Sequence, residues 1–260
     1  MAVNDRQQSY LDAMGIQVWR SRQNENDDVS EEVAVEPVLV VEKTTKPCTE
    51  SAAPQEARNA TVVDQVSYLD WPQLEQRVAA CSDCELSKSR SQTVFGVGDK
   101  QADWMVIGAA PQAEDERQGE PFVGQAGQLL NKMLLAIGLK REQVFLTNLL
   151  KCRTPDDRDA ALEELQQCQA YLHRQIQLLQ PKIILVMGAV AAQQLLKSNE
   201  LLDVMRGKQF VYNDSEIPIV ATYHPGYLLN NPTVKRKAWQ DLQFAQQLYA
   251  QSVRDEAPEK

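Results

Sequence analysis

Hydrophobic and polar positions follow two different regimes along the chain. From Leu69 onward, short apolar runs alternate with segments that carry apolar residues at three- and four-residue spacing. The runs are Trp104–Ile107, Val144–Thr147, Ile183–Met187 and Ile217–Ala221. None alternates strictly between apolar and polar, which is the pattern of strands buried on both faces of a sheet. Leu129, Leu130, Met133, Leu134 and Ile137 form one helical stripe, stopped by Gly138. Leu162, Leu165, Cys168, Leu172, Ile176 and Leu179 form a second, and Pro181 follows its end. Ala189–Leu196 and Lys237–Ala250 complete the helical segments. Strands alternating with helices predict βαβ units. The expected fold is an α/β three-layer α-β-α sandwich with a central, mainly parallel four-stranded sheet, over residues 69–250. Ligands of such sheets bind beyond the carboxyl ends of the strands. The loops of interest are therefore Gly108–Gln112, Asn148, Gly188 and His224–Pro225.

Before Leu69 the pattern is lost. Gln23–Gln65 has no Gly, Phe or Trp and no helical period, and it is rich in Glu, Asp, Thr, Pro and Ala. It lacks the apolar surface to offset ordering its backbone, so residues 23–68 are expected to be a disordered acidic linker. Residues 1–22 are expected to be a short apolar docking peptide. Tyr10, Leu11, Met14, Ile16, Val18 and Trp19 are too few for a core, and fit a turn or two of helix ended at Gly15, then an extended Ile16–Trp19. Folding back onto the main domain is the other reading of that peptide. Residues 251–260 are expected to be a disordered C-terminal tail.

Charge sharpens this division. The 260 residues carry a net charge of −9, but residues 1–75 hold six basic and fourteen acidic residues, net −8, leaving −1 for the rest. Overall acidity argues against coating nucleic acid by bulk charge, yet the main domain is nearly neutral and free to carry a basic face. The longest apolar run, Ile183–Ala192, is half of the ~20 residues that span a bilayer. The first residues do not form a basic-then-apolar leader, so the expected location is cytoplasmic.

Five cysteines remain to be placed: Cys48, Cys81, Cys84, Cys152 and Cys168. Cys48 lies in the acidic linker. The other four read as a C-x2-C pair, a long gap and a C-x15-C pair. Structural disulfides are rare in the cytosol. Four thiolates suit zinc or an iron–sulfur cluster, and the absence of a second C-x2-C knuckle leans toward the cluster. Cys168 also falls on an apolar helical stripe, where a lone buried thiol is an ordinary core residue.

Several stretches together resemble the family 4, iron–sulfur branch of the uracil-DNA glycosylase superfamily, over roughly residues 75–250. They are Cys81–Cys84; Gly108–Pro111 followed by Glu114 and Asp115; Gly119–Gly127 and the Leu-rich helix after it; Thr147–Arg153; Cys168; and Thr222–Leu229. The resemblance implies a base-excision repair enzyme that flips uracil out of DNA and removes it hydrolytically. It implies a [4Fe–4S] cluster on Cys81, Cys84, Cys152 and Cys168. Phe122 matches the aromatic that stacks on uracil, Asn148 the amide that reads the uracil edge, and His224 the donor to the leaving base. Ala109, Ala110, Pro111 and Gln112 form the matching base-binding loop. The implied partner is uracil-containing DNA, met by a monomer working at the nucleoid.

Three positions depart from the family. Its first motif reads Gly-Glu-Ala-Pro-Gly, where this chain has Ala109 for the Glu and Gln112 for the last Gly. An Ala cannot help a water attack, and general-base help is worth about 10²–10⁴-fold. Asn230 stands where the family often has Arg, with Lys235, Arg236 and Lys237 nearby for the DNA backbone. The alternative function is accordingly a catalytically weakened or inactive glycosylase-fold DNA-binding protein. Tyr10–Arg20 is similar to the N-terminal peptide of the bacterial clamp-loader psi subunit. That likeness implies a tether to the clamp loader or another replication protein through residues 8–20.

Overall fold

The structure is a computed structural model, and it describes residues 66–213 and 215–255. The apolar peptide, nearly all of the acidic linker, Cys48 and residues 256–260 lie outside the described residues. The elements are α1 (Trp71–Ala79), α2 (Leu86–Ser89), β1 (Val97–Gly98), β2 (Trp104–Gly108), α3 (Ala113–Gln118), α4 (Gly124–Ala136), β3 (Val144–Asn148), α5 (Leu162–Leu179), β4 (Ile183–Met187), α6 (Ala189–Leu196), α7 (Leu202–Met205), β5 (Phe210–Val211), β6 (Pro218–Thr222), α8 (Pro225–Asn230) and α9 (Lys235–Asp255).

The sheet order is β1-β3-β2-β4-β6-β5. The four central strands are parallel and coincide with the four apolar runs. Every residue in them is buried, as two covered faces require. Each buried Val, Ile, Leu or Met contributes about 1.5–3 kcal/mol relative to an exposed one. The sheet has six strands rather than the four expected. The extra two, β1 and β5, are antiparallel edges of two residues each, too short to leave a hydrophobic period. α9 packs on β4 and β6 and runs to Asp255, five residues beyond the expected Ala250. Among the described residues no helix is long and apolar enough to cross a membrane.

Chain order places the switch of direction beside β2. The chain leaves β2 for β3 on one side, then crosses to β4 on the other. The carboxyl ends of β2, β3, β4 and β6 deliver Gly108, Asn148, Met187 and Thr222 to one edge, at the point where such sheets open a crevice.

α1 was not foreseen as an element, yet its signals are strong. Asp70 accepts from the Gln73 amide at 2.9 Å, while Gln73 Oε1 accepts from the Asp70 amide at 3.1 Å, a reciprocal cap. Leu74 and Val78 face inward, and α1 packs on α5. Cys81 follows directly, its amide donating to the Val78 carbonyl at 3.2 Å. Helix stops fall where expected, with Gly138 left-handed after α4 and Gln180 left-handed before Pro181.

Candidate active site and a four-cysteine cavity

Three of the residues singled out in the sequence converge at the strand ends. A Cβ placed on Gly108 would lie 2.3 Å from Asn148 Oδ1 and 2.7 Å from the Phe122 ring, so no larger residue fits at the end of β2. The Phe122 ring centre lies 5.8 Å from that of His224, with a 31° tilt. Phe122 is buried although its φ is +54°, a left-handed conformation that an aromatic residue adopts only under constraint. The constraints are visible. Arg141 donates to the Pro121 carbonyl at 2.7 Å and to the Phe122 carbonyl at 3.1 Å. Gly127 supports the same turn from below, since a Cβ there would sit 1.7 Å from the Phe122 carbonyl oxygen.

Asp115 ties this turn to the loop after β2. One carboxylate oxygen accepts from the Val123 amide at 2.8 Å, the other from the Gln112 amide at 3.0 Å. Burial raises the carboxyl above its ordinary range, and the amides of Gln112, Val123 and Phe122 pull the other way. Glu114 is held by Arg117 and by Gln118 at 2.8 Å. Both Asp115 oxygens are thus engaged, whereas Glu114 is held through Oε1 alone. Ala109 and Ala110 are partly exposed, Pro111 is buried and Gln112 is exposed. The Leu149 and Leu150 amides donate to the Gly108 and Ala109 carbonyls at 2.9 and 3.0 Å, so this loop continues the pairing of β2 with β3.

Asn148 is buried, and its Nδ2 has no hydrogen-bond partner. An unmet buried donor costs about 1–3 kcal/mol and is sustained where a ligand completes it. His224 caps α8, and the Gly226 amide donates to its Nδ1 at 3.1 Å. A nitrogen that accepts carries no proton, so the neutral ring carries its hydrogen on Nε2. Burial pushes the imidazole down to about 4, keeping it neutral at ordinary pH. The other histidine, His173, is taken up on both nitrogens, by Tyr212 at 2.9 Å and Gln177 at 2.8 Å, away from these loops.

Cys81, Cys84, Cys152 and Cys168 line one small cavity, together with Arg90, Lys151, Asp83 and Tyr171. All four are free thiols. Arg90 donates to Cys152 Sγ at 2.9 Å and to the Cys81 carbonyl at 2.5 Å. The Lys151 amide donates to Cys168 Sγ at 3.3 Å. Asp83 sits 3.3 Å from Cys81 Sγ, and accepts from Arg77 at 3.0 Å and from Tyr171 at 3.0 Å. Burial pushes Cys168 up to about 12 and raises Cys84 and Cys152. Thiolates in this cavity therefore require compensating positive charge, and two cationic side chains, Arg90 and Lys151, line it. Among the described residues no three His, Cys, Asp or Glu side chains are arranged to hold a single metal ion. A cubane differs in using one thiolate for each of four irons, so its ligands surround a volume instead of a point. The four-thiol set fits such a group.

Sequence reasoning missed Asp115 as a brace, and missed Arg90, Arg141 and Lys151 altogether. Their spacing carries no signal, because what recruits them is three-dimensional. Of the basic residues placed near the DNA backbone, Lys237 is paired with Asp203 at 2.9 Å, while Arg236 is exposed.

Comparison with known proteins agrees with this geometry. Residues 95–243 match the uracil DNA glycosylase superfamily. The chain is 38% identical to a type-4 uracil-DNA glycosylase of Archaeoglobus fulgidus over 62% of this chain and 84% of that protein. It is 36% identical to the type-4 enzyme of Sulfurisphaera tokodaii, over 67% of this chain and 83% of the relative, and 31% to that of Thermotoga maritima, over 66% and 91%. The chain belongs to the uracil-DNA glycosylase superfamily and, within it, to the type-4 family.

Proposed function

We propose that this protein is a uracil-DNA glycosylase that hydrolyses the bond between uracil and deoxyribose in a flipped nucleotide, and that Cys81, Cys84, Cys152 and Cys168 hold a [4Fe–4S] cluster. The observation that carries the glycosylase reading is the unpartnered Nδ2 of buried Asn148 beside the strained Phe122. An amide offers one donor and one acceptor side by side, matching the O4 and N3–H of a uracil edge. The Phe122 ring supplies a stacking face for the base. Bond breaking leaves its electron pair on uracil, and a water adds to C1′ and gives up a proton. The neutral Nε2–H of His224 donates to uracil O2 as charge gathers there, without first having to lose a proton itself. Position 109 supplies no carboxylate to aid the water, and both Asp115 oxygens are occupied. The reaction then rests on stabilising the leaving base, and is slower than in a family member with the Glu. The cluster, when bound, joins the Cys81–Cys84 segment, the loop after β3 and α5 into one rigid unit.

Release of uracil from single-stranded and duplex DNA tests the reading. Active protein, with His224→Ala reduced about 10²–10³-fold, is expected. Inert protein that gains activity on Ala109→Glu would instead move the chain to the DNA-binding reading. Protein purified without oxygen should be brown with about four irons per chain, whereas colourless, zinc-loaded protein would refute the cluster. The tether reading of residues 8–20 is tested by retention of the clamp loader on residues 1–25, and absence of retention refutes it.

A further inference from the structure

One charged side chain adjoins both Asn148 and the cysteines, and the reading above gives it no role. Lys151 is 1% exposed. Its Nζ donates to Thr147 Oγ1 at 2.6 Å, the Asn148 carbonyl at 2.7 Å and Gln175 Oε1 at 2.7 Å. Thr147 and Gln175 donate in turn to the Phe95 carbonyl, at 3.0 and 2.9 Å, so the cradle is complete and fixed. Three acceptors match the three protons of an ammonium, a form that burial disfavours by pushing the group down to about 7, and every acceptor is neutral. A buried charge without an opposite charge is costly, and hydrogen bonds alone do not cancel it. On its other side Lys151 adjoins the cavity of the four cysteines, which it helps to line. Its amide holds Cys168, and Cys152 is the next residue. A basic residue beside an Arg in a DNA-binding protein suits phosphate contact, but burial closes that role to Lys151.

We propose that Lys151 is the fixed counter-charge of the cysteine centre and, at the same time, the positioning residue for Asn148, so that the metal centre and the uracil pocket are coupled through one side chain. The inference rests on the glycosylase and cluster reading above. Four thiolates make the centre anionic, which answers the ammonium. The ammonium fixes the Asn148 carbonyl and thereby the backbone that aims its amide. The centre then does more than tie loops together, because its charge makes a buried cation tolerable next to the base pocket.

The test uses full-length protein prepared without oxygen, with two variants. Lys151→Met removes charge and donor, and Lys151→Gln keeps a neutral donor. Lys151→Met should shift the midpoint potential of the cluster to more negative values, since the reduced centre loses its neighbouring positive charge. It should also raise the inhibition constant of free uracil about tenfold, through loss of a charge-assisted hydrogen bond. Lys151→Gln should show the same direction of potential shift, with uracil inhibition within about threefold of wild type. An unchanged potential in either folded variant, or unchanged uracil inhibition in Lys151→Met, overturns the proposal. Should neither variant fold, wild type decides: saturating uracil must shift the potential, because coupling is reciprocal, and no shift overturns it. Wild type that is colourless, or that neither binds nor releases uracil, defeats the underlying reading before any variant is compared, and this inference with it.

Discussion

The strand-end site and the four-cysteine cavity draw on the same stretch of chain, Thr147–Cys152, yet the groups that hold them differ. The site is braced by a carboxylate, with Arg141 on the carbonyls of the Phe122 turn. Asp115 accepts from the amides of two loops, and the one titratable ring present, His224, is kept neutral. The cavity has cations about it, with Arg90 on Cys152, Lys151 in the lining, and Arg77 reaching it through Asp83. The difference follows from what each must tolerate. A pocket that receives a leaving anion gains from a neutral donor that does not bind ground-state charge too tightly. A cavity lined by thiols whose protons burial retains gains from nearby positive charge when those thiols ionise.

Four changes would break or sharpen the contrast. The largest effect is expected from Ala109→Glu, which supplies the pocket with the acid it lacks. Uracil release in single-turnover assays should rise about 10²–10⁴-fold, with iron content unchanged. Asp115→Ala removes the carboxylate brace and leaves the Gln112 and Val123 amides unmet. It should cost about 3 kcal/mol in urea unfolding, and uracil binding should fall with it. Acid probes the same pocket with no mutation. From pH 6.5 down to about 4 the unfolded chain protonates the imidazole at position 224 and the folded chain does not. Stability contributed by the neutral ring therefore falls with falling pH, by about 1.4 kcal/mol per unit and about 3 kcal/mol in all, and the slope should be absent in His224→Asn. Arg90→Met touches only the cavity. It should speed iron loss to a chelator about 10–100-fold.

Much of this was legible in the sequence, for physical reasons. The four central strands are buried on both faces, so their composition alone exposed them. The convergence of Asn148, His224 and the loop after β2 followed from the rule that parallel sheets bind ligands at one edge, whereas Phe122 was singled out by the family resemblance alone. The four cysteines could be grouped because thiols are few. Other features could not be read. Two-residue edge strands have no period. Lys151 looks in the sequence like a surface cation beside Arg153, and only the neutral cradle of Thr147, Asn148 and Gln175 reveals it as buried. The Asp115 bond to the Val123 amide, which ties the Phe122 turn to the loop after β2, is likewise announced by no spacing.

The left-handed backbone at Phe122 has a consequence for how the sequence can drift. Glycine or asparagine would relax that turn, and mutation alone would favour them over an aromatic ring. A descendant that no longer handled bases would therefore be expected to surrender the ring early, before it lost its strands. Loss of phenylalanine at this residue ahead of changes in the strands would mark relaxed selection on the site.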